Sequence, residues 1–285
     1  MDAMESQQLL EQFLQRIGAD HRAGKIPLPM LPTIALKVRQ AVEDERLGTN
    51  DVARVIQLDP ALTAQVVQAA NSARFGGLPP VTSCHAAVAR LGMRGVRDRV
   101  VAVSLHGVFN RPSRTTARRL HSLWQHSVRV AAISHVLGGI GPDLDPERAL
   151  LAGLLHDIGI LPLLAYAEEF PELLADERLL DRILARLRGQ MGTLVLKAWD
   201  FDEDLIRVPM EAEHWTRDPA PMPDYADVVL LANIFSEFGS GKALPDLANL
   251  PAFQKFPLGA LGPEGGVEVL EEAQDQIRAV MAMLQ

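Results

Sequence analysis

The sequence is poor in the residues that would indicate a disulfide-rich or nucleic-acid-binding protein. It has one cysteine, Cys84, among 285 residues, so an internal disulfide is excluded and a reducing compartment is favoured. A lone cysteine of this kind usually packs as a small apolar side chain. Aromatic residues make up only 5%, and none are interleaved with basic residues, as they are on single-stranded nucleic-acid platforms.

Long apolar runs are also scarce. The most apolar stretches that we identify, residues 100–109 and 228–235, are much shorter than the roughly 20 residues that cross a bilayer. The first 22 residues carry acids and glutamines where a secretory signal has basic residues followed by an apolar run. We therefore expect a cytoplasmic protein without membrane contact.

Sustained alternation of apolar and polar residues is missing too, so we predict no sheet of any size. Apolar residues instead recur at intervals of three and four, which predicts an all-α protein. An acid followed by proline, Asp59-Pro60, is typical of a helix start. Residues 240–263, rich in Gly, Pro and Leu, are expected to form an irregular connector. The predicted helices lie near residues 10–17, 34–42, 60–71, 82–91, 94–109, 115–138, 146–158, 175–199, 203–215, 223–239 and 264–285.

Charge is unevenly distributed along the chain, which has a net charge of −8. Residues 1–130 hold 17 basic and 10 acidic residues, whereas residues 131–285 hold 11 and 26. The basic excess is concentrated in residues 88–130, where nine arginines accompany one acid, Asp98. This patch could attract phosphates or an acidic partner. We favour the simpler interpretation that it faces the acidic half of its own chain or solvent.

The residues best suited to chemistry are the adjacent His156 and Asp157, together with His126. Imidazole nitrogens and carboxylate oxygens are common metal ligands. His126 shares a helical stripe with apolar residues, so its side chain is expected to point inward. Small residues precede the His-Asp pair, with Ala152 and Gly153 one turn earlier. They leave space for a metal site, but they equally suit close packing of two helices.

A histidine on one helix and a His-Asp pair on a later one resemble the HD superfamily of metal-dependent phosphohydrolases. The wider pattern resembles the HDOD family, over about residues 25–240. Each motif is weak alone, but their number and order make the resemblance specific. The segments that carry it are Leu28–Pro32, Asp59–Thr63, Ala70–Gly76, Ala86–Gly92, Trp124–Ser127, Gly153–Gly159 and Lys197–Trp199.

The resemblance implies an HD-domain-like helical bundle with an additional N-terminal helical subdomain. We place the subdomain at residues 1–115 and the bundle at residues 116–285. It also implies a residual metal site formed by His126, His156, Asp157 and Asn233, with Asp227 as an alternative last ligand. HDOD domains are generally associated with bacterial signalling and regulation, commonly without hydrolase activity.

Several departures from the catalytic HD pattern predict that hydrolysis is lost. Ile160 stands where HD enzymes carry a lysine, and Asn233 where they carry a carboxylate. Arg188 stands where the HD-GYP subgroup has a further histidine, and the later double-histidine motif is reduced to one, His214, in Glu213-His214-Trp215. We therefore expect no resident cofactor, and at most a weakly bound divalent metal.

Three functions remain open at this stage. The first is a regulatory protein that binds signalling proteins, in two-component or cyclic-dinucleotide pathways. The second is a metal-dependent phosphohydrolase acting on a nucleotide or phosphoester. The third is a sensor that binds a nucleotide without cleaving it. Direct nucleic-acid binding is not expected from the negative net charge, and the apolar stripe of the last helix leaves a homodimer open.

Overall fold

The computed structural model describes residues 3–72, 75–109, 113, 115–238 and 244–284. The regular elements in these ranges are helices, and no β-strand occurs among them. The prediction of an all-α fold is therefore confirmed.

The first part of the chain forms a group of mostly short helices. The two helices predicted over 82–91 and 94–109 are largely the two arms of one bent helix, α5. The bend lies at Gly92, whose φ of +75° is readily adopted only by glycine. The helices before residue 110 in the described ranges are α1 (Ala3–Ala23), α2 (Thr33–Glu43), α3 (Thr49–Ile56), α4 (Pro60–Ala70), α5 (Cys84–Ser104) and α6 (His106–Phe109).

Helix α3 was missing from the sequence prediction. Its eight residues make about two turns, too few for a helical period to stand out. The local feature that marks the start of α3 is a cap at its N-terminus. The Asp51 carboxylate accepts a hydrogen bond of 3.0 Å from the backbone N–H of Gly48. Val52, Ala53 and Ile56 then bury one face of the helix.

Two motifs in this region have a structural role. Asp59 caps α4 as predicted, since its side chain accepts hydrogen bonds from the backbone N–H groups of Ala61 and Leu62. Asn71 fixes the following loop by bonding both backbone groups of Val81, at 2.8 and 2.9 Å. Ala73 and Arg74 of the same motif lie outside the described residues, as do residues 110–112 at the predicted end of this helix group.

The rest of the chain forms the larger bundle. Helix α11 is the longest after α7, and α8 and α9 are separated by the turn at residues 156–159. The helices are α7 (Ala117–Ile140), α8 (Pro146–Leu155), α9 (Ile160–Ala167), α10 (Pro171–Ala175), α11 (Glu177–Ala198), α12 (Glu203–Ile206), α13 (Val208–Glu211), α14 (Tyr225–Ser236), α15 (Pro251–Gln254), α16 (Pro257–Glu272) and α17 (Gln274–Ala282).

Several predicted boundaries in this half were wrong. The helix predicted over 203–215 is two short helices, and the second ends at Glu211. The predicted connector is partly helical, because Pro251 and Pro257 occupy the first turns of α15 and α16. Proline suits that position, since its missing N–H has no partner there in any case. Residues 240–243 of the connector lie outside the described residues.

Buried apolar side chains form two clusters. The smaller draws on α2 to α5, with Val38, Ile56, Val66 and Val88 among its fully buried members. The larger fills the bundle and also takes in Phe13 from α1. Helix α1 therefore packs into the bundle core although it precedes the smaller cluster in sequence. The limits at residues 115 and 116 remain predictions.

One apolar segment is longer than the sequence prediction allowed. Residues Pro146–Ala167 are long and apolar enough to cross a membrane by length and composition. In the structure they form α8, the turn and α9, and 94% of the most apolar window is buried inside the protein. That burial is typical of a core helix pair. In the sequence, Glu147, Arg148, His156 and Asp157 interrupt its apolar residues.

The N-terminal segment is attached to the end of α11. The indole N–H of Trp199 donates a hydrogen bond of 2.8 Å to the backbone carbonyl of Pro29. Arg39 on α2 donates to the carbonyl of Trp199 and, at 2.6 Å, to the Asp200 carboxylate. The Lys197–Trp199 and Leu28–Pro32 motifs therefore meet in space, which accounts for their occurrence together.

Candidate metal centre

Close packing of α7 against α8 brings the two candidate histidines together. A Cβ added to Gly153 would lie 2.7 Å from the Cα of Ala131 and 2.8 Å from the hydroxyl of Ser134. The small residues before the His-Asp pair therefore serve helix packing, one of the two roles that the sequence left open. This contact sets the distance between His126 on α7 and His156 at the end of α8.

The structure brings His126, His156 and Asp157 into one group. Their ligand atoms all lie within 4.8 Å of one another. The two Nε2 atoms are 3.2 Å apart. The Asp157 Oδ2 atom lies 3.4 Å from Nε2 of His156 and 4.0 Å from Nε2 of His126. His156 and Asp157 are buried, whereas the side chain of His126 is 26% exposed.

A hydrogen bond orients His156 for metal binding. Its Nδ1 lies 2.7 Å from the backbone carbonyl of Gly153. A carbonyl oxygen only accepts, so Nδ1 is the donor in this contact, and in the neutral ring Nε2 is then the nitrogen that can bind a metal. Such an outer hydrogen bond is typical of metal-binding histidines.

The three side chains fit one divalent ion. Bonds of about 2.1 Å in a tetrahedral site place neighbouring ligand atoms about 3.4 Å apart, close to the distances between these ligand atoms. Two imidazoles and one carboxylate can hold such an ion with one position left for solvent. A second ion would need further anionic ligands beside Asp157, and the side chain found there is a cation.

That cation is Arg188 on α11. Its Nη1 lies 3.2 Å from Oδ1 and 3.4 Å from Oδ2 of Asp157. Its Nη2 forms an ion pair with the half-exposed Glu213. Burial acts to raise the pKa of Asp157, but His156, Arg188 and His126 outweigh it and hold the pKa of this carboxyl well below its usual range. Asp157 is therefore ionised at neutral pH and already has a positively charged neighbour.

Glycine allows α11 to pass close enough for this contact. A Cβ on Gly159 would collide with the backbone carbonyl of Arg188 and the backbone nitrogen of Gly192. The φ of Gly159 is −66°, an ordinary helical value. The glycine is therefore needed for the close approach of two backbones and not for an unusual conformation.

Asn233 and Asp227 have different environments. The amide nitrogen of Asn233 lies 3.4 Å from Oε1 of Glu213, which in turn pairs with Arg188 beside Asp157. Its role as a ligand remains a prediction. Asp227 is fully buried in an ion-pair cluster with Arg217 and Lys255, and its carboxylate also accepts a hydrogen bond from the backbone N–H of Asp224, the N-cap of α14. These contacts give Asp227 a structural role.

Ile160 and His214 are the remaining departures from the catalytic pattern. Ile160 begins α9, and its uncharged side chain packs partly against the larger core. His214 is exposed. The sequence pointed to Glu213 only as part of the reduced double-histidine motif. Its ion pair with Arg188 was not predicted. Acidic and basic residues 25 positions apart give no local signal of pairing.

The exposed edge of His126 faces a polar cavity of about 370 Å³. Arg129 and Gln125, also on α7, line it with Ser236 and Glu237 at the end of α14. The Arg129 guanidinium reaches the backbone carbonyl of Ser236 at 3.5 Å. The cavity is large enough for a small anionic ligand.

Three arginines of the basic patch, Arg97, Arg99 and Arg119, are paired with acids of this chain. The buried Arg99 lies 2.6 Å from Glu147 on α8, and Arg119 lies 2.6 Å from Asp181 on α11. Arg97 contacts Asp98 at 3.0 Å. The contacts of Arg99 and Arg119 reach the acidic half of the chain, whereas Arg94 and Arg118 are exposed to solvent, so both parts of the favoured interpretation occur. Arg111 and Arg114 lie outside the described residues.

Comparisons with known proteins agree with this architecture. The family model of the HDOD domain matches residues 28–215. A protein of Treponema pallidum (strain Nichols), described as uncharacterized, is 25% identical over 228 residues, and the match spans 75% of this chain but 43% of that protein. This chain therefore covers less than half the length of that relative.

Solved structures have the same fold. A protein of Shewanella amazonensis SB2B, provisionally named a metal-dependent phosphohydrolase, superposes with a TM-score of 0.80 at 23% identity and covers 98% of this chain and 100% of its own. An HDOD domain protein with unknown function from Geobacter sulfurreducens gives 0.64 at 22% identity, covering 99% and 98%. A provisionally named signal transduction protein of Marinobacter aquaeolei VT8 gives 0.62 at 21%, covering 98% and 65%.

The matched segment includes the smaller core, the His126, His156 and Asp157 group, and Arg188. It accounts for well over half of the 285 residues. By fold and by sequence, this chain belongs to the HDOD family.

Proposed function

We propose that this protein is a cytoplasmic, non-catalytic regulator that acts in signal transduction by binding partner proteins. The observation that supports this most strongly is the contact of Arg188 with Asp157. The carboxylate that would serve a catalytic metal is already paired with a fixed positive charge.

The charges at the site explain why hydrolysis is not expected. Cleavage of a phosphoester needs a metal-activated hydroxide and positive groups around the phosphoryl oxygens. Here one carboxylate and two neutral imidazoles can supply a single negative charge to an ion. Arg188 offsets that charge and repels a cation at the same place. The position of the catalytic lysine is taken by Ile160.

The second candidate function is that of a metal-dependent phosphohydrolase. It is favoured by one observation, the three ligand atoms within 4.8 Å of one another. In that case His126, His156 and Asp157 would hold the ion. A bound ion would supply Lewis-acid activation of water, while Arg188 would be left to bind a phosphate oxygen.

Turnover assays separate these two functions. The purified full chain, loaded with Mn²⁺ or Fe²⁺, would be incubated with phosphomonoesters, nucleotides and cyclic dinucleotides, next to the Asp157→Ala variant. We expect the wild-type rate to equal that of the variant. Metal-dependent turnover that Asp157→Ala abolishes would refute the regulatory proposal and establish the enzyme.

The polar cavity beside His126 keeps nucleotide binding as a variant of the regulatory function. Arg129 offers a cation there, and a guanidinium binds phosphate oxygens well. Calorimetry with a panel of mono-, di- and cyclic dinucleotides tests this, with Arg129→Gln as the paired variant. Heat that disappears in Arg129→Gln would identify a ligand sensor. If no nucleotide gives heat, binding of protein partners remains as the proposed mode of action.

A further inference from the structure

A long open groove lies between α1 and α11. Its two lobes, of about 350 and 580 Å³, share the half-buried side chains of Leu14 and Leu187. The floor continues through Leu10 in one lobe and Ile17 and Leu194 in the other. These leucines and isoleucine are each partly accessible, so the groove presents a continuous apolar strip.

Positive charges border this strip. Arg178, Arg182 and Arg186 are spaced four residues apart on α11 and so lie on one face of the helix. Arg182 and Arg186 line the first lobe and Lys197 lines the second. All four are exposed. Within the described ranges, no ion pair or side-chain hydrogen bond involves any of them.

The row is unusual because like charges four residues apart destabilise a helix. The nearby Asp181 does not relieve it, since its carboxylate pairs with Arg119 on α7. Arginines elsewhere, such as Arg99 and Arg148, are paired with acids of this chain. In a protein of net charge −8, this edge remains basic and uncompensated.

We propose that this groove, the α1–α11 groove, binds an acidic amphipathic helix of a partner protein. The apolar face of that helix would cover the leucine strip, and its carboxylates would face Arg182, Arg186 and Lys197. An apolar groove with charged edges is a common way of recognising a helix. The inference rests on the proposed regulatory function and specifies the partner class.

The shape favours a helix over a membrane surface. From Leu179 to Lys197 the groove follows about 27 Å of α11, the length of a helix of about five turns. Its apolar side chains lie on the floor between two helices. Insertion into a bilayer instead requires apolar side chains that protrude.

A designed peptide tests the proposal on the full chain. The probe is a fluorescein-labelled helix of about five turns, with leucines along one face and glutamates beside them. We expect saturable binding by fluorescence anisotropy, about tenfold weaker in Arg182→Glu/Arg186→Glu. A second peptide, with lysines in place of the glutamates, should bind the wild type more weakly than the first peptide does. The same lysine peptide should bind Arg182→Glu/Arg186→Glu more tightly than it binds the wild type.

Controls keep the result specific to the groove. Arg94→Glu/Arg118→Glu makes the same charge change at two other exposed arginines and should leave peptide binding unchanged, and circular dichroism checks that each variant is folded. Absence of peptide binding, equal binding of both peptides, or equal loss in the control would overturn the proposal. So would stronger binding to phosphatidylserine vesicles, which would indicate a membrane surface.

The two proposals fail separately. Turnover that requires Asp157 would refute the regulatory function whether or not the peptide binds. Lack of peptide binding without turnover would refute the groove as a helix site and leave the regulatory function standing.

Discussion

At the scale of single residues, Arg188 sets the charge of the candidate metal centre. It places a fixed cation 3.2 Å from the only carboxylate in the His126, His156 and Asp157 group. Glu213 binds the other end of the guanidinium and so holds it in place. A metal ion must therefore displace this side chain or accept its repulsion.

This feature gives a prediction for metal affinity. Arg188→Gln removes the positive charge but keeps a polar side chain, so we expect Mn²⁺ or Zn²⁺ to bind about tenfold more tightly or better. The measurement is isothermal titration calorimetry on the metal-free protein. Arg182→Gln, an exposed arginine on the same helix, is the matched control and should not change the affinity. Equal affinities for wild type and Arg188→Gln would contradict the role given to this arginine.

The sequence predicted part of this site. Two histidines and an adjacent aspartate are a local and compositional signal, and the three residues do meet. The contact of Arg188 depends on how closely α11 passes Gly159, which no local pattern encodes. Asp227 was considered as an alternative last ligand because it carries a carboxylate. Its partners, Arg217 and Lys255, are 10 and 28 residues away in the chain.

At the scale of elements, periodicity predicted most closely two long helices of the bundle. Helices α7 and α11 were predicted within about two residues of their observed ends. The predicted helix over 146–158 ends earlier, at Leu155, since residues 156–159 form a turn before α9. That turn places His156 and Asp157 between two buried helices. Apolar residues continue on both sides of the turn, so the sequence pattern does not show where α8 ends.

The crossing of the turn and α11 gives a second prediction. Gly159→Ala would place a methyl group against the backbone of Arg188 and Gly192, so the two elements must separate. We expect a loss of about 1–3 kcal/mol in the free energy of unfolding, as for other overpacked core sites.

Urea denaturation measures this effect. The control is Gly107→Ala, because a Cβ at Gly107 meets no atom within 4 Å, and it should change stability by less than about 1 kcal/mol. A Gly159→Ala variant as stable as wild type would show that α11 does not need this close approach.

At the scale of the whole molecule, buried ion pairs connect the N-terminal helices to the bundle. Arg99 on α5 and Glu147 on α8 are 1% and 2% exposed and lie 2.6 Å apart. Arg148 on α8 makes a similar buried connection to Asp98 on α5, and it also pairs with two more exposed acids, Asp202 before α12 and Asp204 within it. The sequence suggested that the basic patch faces the acidic half of the chain or solvent, but it gave no pairing.

A double-mutant cycle tests the Arg99–Glu147 pair. Either Arg99→Met or Glu147→Leu alone leaves one buried charge without its partner, and each should lower the free energy of unfolding by about 3–5 kcal/mol. The double variant removes both charges and should lose much less than the sum of the two. Additive losses in equilibrium urea unfolding would mean that the pair is not coupled.

Helix α11 takes part in three contacts that lie far apart in the sequence. Its 22 residues border the α1–α11 groove and carry Arg188 to Asp157, and Trp199 at its C-terminal cap holds the N-terminal segment through Pro29. Because one helix carries all three, a substitution that shifts α11 changes the groove, the charge beside the histidines and the attachment of the N-terminal segment together.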